Sequence, residues 1–234
     1  MRVFRPHLPD ASGATDGLAW NLFLPQSGDP ARGGVLILHG AGSAKESHHD
    51  YARACAAGGL AALAVDLRGH GASDGALGAG ALDDVAALAS TLREEAGVTA
   101  IGLRGSSMGG YLAVVAAAHC EAGAVVAICP ASAAMLRAGV LARRFEFRAD
   151  EDELVAFLDA NDEADAIATL GVPVMLLHAR GDESVPVEHS RELAALATDA
   201  QLIEMPGGHH RSIQHDAELQ GVTVRWLSRK LRAA

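Results

Sequence analysis

Lysine is almost missing from this sequence: Lys45 and Lys230 are the only two, and 19 basic residues face 29 acidic ones for a formal charge of −10. A phosphate backbone is held by clustered Lys and Arg, so no nucleic-acid partner is expected. Aromatic residues make up only 4% of the chain. No apolar run reaches the roughly 18 residues that a membrane-crossing helix needs, so no membrane partner is expected. The opening MRVFRPHLPDASG lacks both the apolar stretch and the small-residue cleavage pattern of a secretory signal, and a cytoplasmic location is expected. Cysteine is scarce as well. Cys55, Cys120 and Cys129 are odd in number, lack metal-ligand spacing, and lie in Ala-rich or apolar stretches, where a reduced thiol packs as a small hydrophobe.

What is abundant is small and apolar: half of the 234 residues are hydrophobic and 26 are glycine. A chain of this length can bury one substantial core, so a single domain over 1–234 is expected. Short apolar runs bounded by Gly, Pro and Asp recur: LAWNLFLP, GGVLILHG, AALAVDLRG, VTAIGLRG, GAVVAICP, GVPVMLLHA and AQLIEMPG. Several are apolar at consecutive positions, as strands covered on both faces must be. Between them, helical spacing is predicted over roughly 46–58, 80–96, 109–119, 150–168, 187–197 and 216–232. This alternation predicts a doubly wound, mostly parallel α/β sheet with right-handed crossovers. The acid-rich run ADEDELVAFLDANDEAD carries Leu154, Phe157 and Leu158 at helical spacing, which predicts an amphipathic helix docked on the domain.

In a parallel sheet, ligands meet the loops beyond the carboxyl ends of the strands. In one of them, Gly105-Ser106-Ser107-Met108-Gly109 fits G-x-S-x-G between a strand and a helix. The serine of that turn projects its hydroxyl, and the N–H that follows is free to stabilise an oxyanion. Small residues are needed because strand and helix backbones crowd together there. A serine nucleophile needs a base, and the base needs an orienting carboxylate. Asp182 follows the strand VPVMLLH, and His209 and His210 follow QLIEMP, in the order Ser, Asp, His.

With these loops the chain resembles the α/β-hydrolase superfamily, in the style of its dienelactone-hydrolase-like and serine-aminopeptidase-like members, over nearly everything after about residue 18. HGAG at 39–42 looks like the oxyanion loop, DLRGHGASDG like the loop after the fourth strand, and GSSMGG like the nucleophile elbow. HARGDESVP and PGGHHRS look like the acid and histidine loops. The resemblance implies an eight-stranded sheet with at most a small lid or connecting helices at about 132–170. It also implies Ser107 as nucleophile, Asp182 as acid, and the backbone N–H groups of Ala41 and Met108 as the oxyanion hole. The doubled His209-His210 leaves two candidates for the base. The gap from His210 to Asp216, taken as the N-cap of the last helix, resembles the family's G-x-x-H loop starting at Gly207 and favours His210. The implied activity is a serine hydrolase, carboxylesterase-like, acting on a small-molecule ester through an acyl-enzyme. Peptidase, thioesterase and acyltransferase chemistry share the same residues, and a non-catalytic protein of this fold is the rival from another class.

Other residues have structural expectations. His39 is expected to pack under the oxyanion loop, and Asp66, Arg68, His70 and Asp74 to hold their Gly-rich loop through side-chain bonds to the backbone. His48-His49-Asp50 is expected on a solvated helix face rather than as a metal site, since adjacent helical residues diverge by about 100°. No cofactor is expected. Gly40-Ala41-Gly42 begins a dinucleotide fingerprint, but Lys45 stands where its third glycine belongs. No Tyr-x-x-x-Lys pair follows Tyr51 or Tyr111, and no Gly-Lys-Ser/Thr occurs. The short stretch between the runs GAVVAICP and GVPVMLLHA leaves no room for a long apolar cover, and the charge of −10 disfavours anions, so a small, uncharged or modestly polar, short-chain ester is the expected substrate.

Overall fold

The computed structural model describes residues 7–26 and 28–231. The first six residues of the segment weighed as a secretory signal, and residue 232 of the last predicted helix, lie outside the described residues. The seven apolar runs all become strands: β2 (Leu18–Phe23), β3 (Gly34–Leu38), β4 (Ala61–Val65), β5 (Ile101–Ser106), β6 (Ala124–Ile128), β7 (Val174–Ala179) and β8 (Ala200–Met205). An eighth strand, β1 (Ala11–Thr15), joins at one edge. Its sequence ASGAT is small, polar and largely exposed, so no apolar run marks it. Its signal is the turn: Asp16 and Gly17 both take positive φ, 50° and 77°, the two-residue hairpin geometry that Asp-Gly favours.

The sheet order is β1-β2-β4-β3-β5-β6-β7-β8. β2 runs antiparallel to both neighbours, and every pairing from β4 onward to β8 is parallel. Helices cover both faces: α1 (His49–Ala57), α2 (Ala81–Ala96), α3 (Met108–Val115), α4 (Ala133–Leu141), α5 (Glu151–Ala160), α6 (Glu163–Thr169), α7 (Val187–Leu196) and α8 (Ala217–Lys230). The consecutive apolar residues of β3 divide between the two layers. Val35 and Ile37 pack with Tyr51 and Cys55 of α1 and Leu227 of α8, whereas Leu36 and Leu38 pack with Leu88 and Leu92 of α2 and Leu112 of α3. Each such side chain taken from water contributes about 1.5–3 kcal/mol, which is why both faces of the central strands are mainly apolar.

The stretch between β6 and β7 differs from the single helix expected at 150–168. Asp150 caps α5 through the Glu153 N–H, and Asp162 caps α6 through the N–H groups of Ala164 and Asp165. Two caps in succession end one helix and start the next. Leu154, Phe157 and Leu158 are buried on the inner face of α5, as their spacing predicts. α4 lies in the 132–170 stretch where the resemblance implied connecting helices, but no helical spacing marked it. Its Ala- and Gly-rich sequence has little periodicity, and Ser132 starts it by accepting the Met135 N–H at 3.1 Å. The chain beyond α4 is stitched to the loop after β4 by Leu77 N–H to Arg148 O (2.9 Å), Asp150 N–H to Leu77 O (3.0 Å) and Arg148 N–H to Gly69 O (3.1 Å).

Candidate active site

Because β3 and β5 to β8 are parallel, the loops leaving them gather at one edge of the sheet. β5 ends at Ser106, α3 begins at Met108, and Ser107 between them is held at φ 54°, ψ −119°. That left-handed backbone is costly for a residue with a side chain, roughly 1–3 kcal/mol, and such strain persists only where the surroundings enforce it. Here the surroundings are backbone. Ser107 N–H donates to Ile128 O at 2.9 Å, and Ser107 O accepts from Tyr111 and Ala131 N–H at 3.0 and 3.1 Å. A Cβ on Gly105 would strike the Gly109 carbonyl, and one on Gly109 the Leu38 carbonyl, so both glycines are required by close approach. Gly40 is nearly as confined, with Ser107 Cβ at 3.2 Å from where its own Cβ would stand.

Asp182 lies beyond β7 with its carboxylate buried. Oδ1 accepts the N–H groups of Ser184 and Val185 at 2.8 and 2.9 Å, and Oδ2 accepts from His210 Nδ1 at 2.6 Å. His178, also fully buried, brings Nε2 to 3.5 Å from the same Oδ2 while bonding Val185 O at 2.9 Å. Burial alone would raise the Asp182 pKa, but the hydrogen bonds from His178, His210 and the Val185 N–H outweigh it and hold the carboxylate ionised far below its ordinary range. The doubled histidines therefore separate. His210 bonds Asp182, while His209 is exposed and its backbone is tied to Ser212. With Nδ1 engaged, His210 keeps Nε2 for a partner in the clefts that it shares with Ser107. Asp216 caps α8 by accepting the Leu219 N–H at 2.9 Å, as the sequence predicts.

The loop after β3, which carries Gly40 and Ala41, is braced from below. His39 is fully buried, donates Nδ1–H to Gly40 O at 2.7 Å and accepts the Leu67 N–H on Nε2 at 3.0 Å. Burial pushes its pKa down to about 4, so it stays neutral and structural. Asp66 holds Lys45 Nζ at 2.6 Å and the N–H groups of Lys45 and Ala72 at 2.7 and 2.8 Å. Arg68 is bidentate to Asp84, both contacts at 2.7 Å. Asp74 departs from expectation: its backbone N–H, not its carboxylate, makes the loop contact, to Gly17 O at 2.8 Å. Neither the Ala41 nor the Met108 N–H donates to another described backbone group, so both remain available to a ligand.

Two clefts meet at Ser107, Ala41 and His210. One, of about 450 Å³, is lined by hydroxyl, imidazole and amide groups from the loop after β3 and the segment 209–215. The other, of about 530 Å³, runs under α4 past Ala131, Met135, Leu136 and Phe145. Deeper along α3, the apolar hollow beside Met108 and Tyr111 has room for only about 10 Å³, about one water molecule at most. A larger hollow of about 620 Å³ lies at the opposite end of β3 and β5, around Gly33 and Ala100, away from these groups.

One expectation fails at His48. Instead of facing solvent it is buried, with Nδ1 at 2.9 Å from the guanidinium of Arg104, a residue of β5 that is itself fully buried. Burial, reinforced by the Arg104 charge, pushes the His48 pKa down to about 2, so it accepts from Arg104 as a neutral ring. His49 and Asp50 diverge from it, to Asn21 at 3.0 Å and to His215 at 2.9 Å. Arg104 also lies 4.6 Å over the Tyr51 ring. No sequence signal marked it, because an arginine two residues before Ser106 reads as an interruption of an apolar strand. Cys129 is buried, at φ 41°, and its Sγ lies within 4.8 Å of donor atoms of Asp182 and His210. Burial, and then the Asp182 charge, raise its pKa to about 12. A cation there would have to displace the His210 Nδ1–H, so the trio fits a packed thiol better than a metal site.

No functionally curated protein matches the chain by sequence. Among solved structures, Est1E from Butyrivibrio proteoclasticus with ferulic acid bound is 23% identical, with 94% of this chain and 96% of that one covered at a TM-score of 0.74. A monoacylglycerol lipase from Paleococcus ferrophilus is 21% identical over 91% and 99% of the two chains, with a TM-score of 0.72. A soluble variant of the Saccharomyces cerevisiae monoglyceride lipase, in complex with a substrate analog, is 14% identical over 98% of each, at 0.76. These likenesses establish the fold. The family model described as serine aminopeptidase, S33, matches residues 29–149, from just before β3 through the Ser107 turn to the residue before Asp150, the cap of α5. That match spans more than half of the chain, and the protein belongs to this family of α/β hydrolases.

Proposed function

We propose that the chain is a serine hydrolase of small carboxylic esters that works through an acyl-enzyme. The observation that carries the proposal is the strained Ser107 turn opening onto the same two clefts as a histidine bonded at 2.6 Å to a buried carboxylate. Ser107 Oγ attacks the ester carbonyl carbon as its proton passes to His210 Nε2. The N–H groups of Ala41 and Met108 receive the developing oxyanion. Collapse breaks the bond to the alcohol oxygen, which leaves with the proton from His210. Water then repeats the sequence on the acyl-serine and frees the acid. Asp182 keeps His210 in the tautomer with the proton on Nδ1 and stabilises the imidazolium.

Short acyl groups fit best, because the apolar hollow beside Met108 is filled by its own side chains, and each methylene left in water forgoes about 0.8 kcal/mol. An aminopeptidase reading, which the family description invites, is less well supported: it needs an acid to receive the substrate's α-ammonium group, and among the described residues lining the two clefts the only acid is the exposed Glu146, in the cleft under α4 beside Arg144. Fluorophosphonate labelling with peptide mapping tests the assignment, with adduct expected on Ser107 and lost in Ser107→Ala. In a p-nitrophenyl ester series from acetate to palmitate, kcat/KM should peak at a short chain. Adduct on Ser106, or a maximum at ten carbons or beyond, would overturn the corresponding part of the proposal.

A further inference from the structure

The two clefts at Ser107 differ in their charged groups: the one under α4 is lined by Glu146 and Arg144, and Arg211 borders both. The polar one presents Ser43, Ser47, Ser212, Gln214, His215 and Arg211, and none of the described residues lining it is acidic, in a chain whose formal charge is −10. A second cation stands behind its wall. The Arg104 guanidinium, fully buried, reaches the Gln214 carbonyl at 3.4 Å and His48 at 2.9 Å, and among the described residues no carboxylate pairs with it. Its Nε and His48 Nε2 are both buried without partners. Asp50, the acid on that side, is already shared between His215 Nδ1 (2.9 Å) and the Gln220 amide (2.8 Å).

A cation buried without its own counterion is weakly screened and favours an anion nearby. The overall negative charge does not cancel this, since screening confines exposed charges to about 8 Å at physiological salt. Arg211 at the rim offers a planar fork suited to a carboxylate. A neutral polyol would use the hydroxyls equally well but would leave both guanidinium groups uncompensated.

We propose that this polar cleft is the subsite for a carboxylate carried by the substrate, so that the ester lying across Ser107 has an apolar half under α4 and an anionic half against Arg211, Gln214 and the serine hydroxyls. This rests on the hydrolase reading above and departs, at short range, from the uncharged or modestly polar substrate expected from the sequence.

Two matched pairs test it, one for each half of the ester: mono-4-nitrophenyl glutarate against 4-nitrophenyl pentanoate, and 4-acetoxyphenylacetate against its methyl ester. One charged member should be preferred in kcat/KM by roughly fivefold or more, the scale of a single partly exposed ion pair. Arg211→Gln, or 0.5 M NaCl, should bring that ratio close to one. A ratio of one or below in both pairs, or a preference that Arg211→Gln leaves intact, overturns the proposal. An independent readout needs no turnover: monomethyl glutarate added to Ser107→Ala should shift the backbone amide resonances of Gln214 and His215 in a nitrogen–proton NMR spectrum. Absence of that shift counts against the subsite. The shift without hydrolysis of any ester would overturn the hydrolase reading alone.

Discussion

Replacing Asp182 by Asn changes one atom's chemistry and tests the proposed mechanism where it is most constrained. The carboxylate uses both oxygens: Oδ1 receives two backbone N–H groups at 2.8 and 2.9 Å, and Oδ2 receives His210 Nδ1–H at 2.6 Å. An Asn side chain has one carbonyl oxygen. If that oxygen stays on the Ser184 and Val185 N–H groups, the amide NH₂ faces His210 Nδ1, which must then accept. The imidazole proton moves to Nε2, and the ring can no longer take the proton of Ser107. The expected loss in kcat/KM is about 10⁴-fold, or about 5.4 kcal/mol of transition-state stabilisation. Folding should survive, at a cost of about 1–3 kcal/mol for the charge-assisted bond. That stability difference should be present at neutral pH and shrink as pH falls through and below the ordinary carboxylate range, because the folded-state pKa of Asp182 is depressed. The assay is hydrolysis of 4-nitrophenyl acetate alongside the fluorophosphonate labelling rate, with circular dichroism to verify the fold and Glu183→Gln, an exposed neighbour, as the control. An Asn variant that keeps more than about a tenth of the wild-type rate would refute the reasoning. A dead His209→Ala beside an active His210→Ala would refute it equally.

The elbow glycines should be far less tolerant than other glycines of positive or crowded backbone. Gly105→Ala drives a methyl group into the Gly109 carbonyl and should cost more than about 3 kcal/mol in urea unfolding, whereas Gly97→Ala, at φ 62° with no atom within 4 Å, should cost only about 1–2 kcal/mol; equal losses would show that the elbow can relax. His39, held down at about 4 by burial, has a folded pKa below its unfolded value, so its contribution is complete above pH 6.5 and declines toward pH 4, by about 3 kcal/mol at most. The stability gap between the wild type and His39→Gln should therefore narrow over that window, and a gap that widens on acidification would mean that His39 is charged in the folded protein.

Local chemistry explains how much was legible in the sequence. Apolar runs on consecutive positions, Gly-bounded turns and caps such as Asp216 depend on residues close together in the chain, so seven of the strands, the mostly parallel character of the sheet and the loop order Ser107, Asp182, His209-His210 could be read directly. β1 escaped because an edge hairpin buries little, and α4 because alanine and glycine blur a helical period. The spacing back from Asp216 favoured His210, but the choice between the two histidines could not be decided from the sequence, since one residue of loop shift exchanges them; it depended on which ring reached Asp182 once β7 and β8 lay side by side. Nor could the surroundings of Asp182, where His178 and Cys129 converge from two strands, or the burial of Arg104 with His48, which turns an apparent surface cluster into a cation without a carboxylate beside the polar cleft. Periodicity and turn chemistry act within a few residues and so belong to the sequence. Charge, burial and pairing act across space, between residues that only the folded sheet brings together.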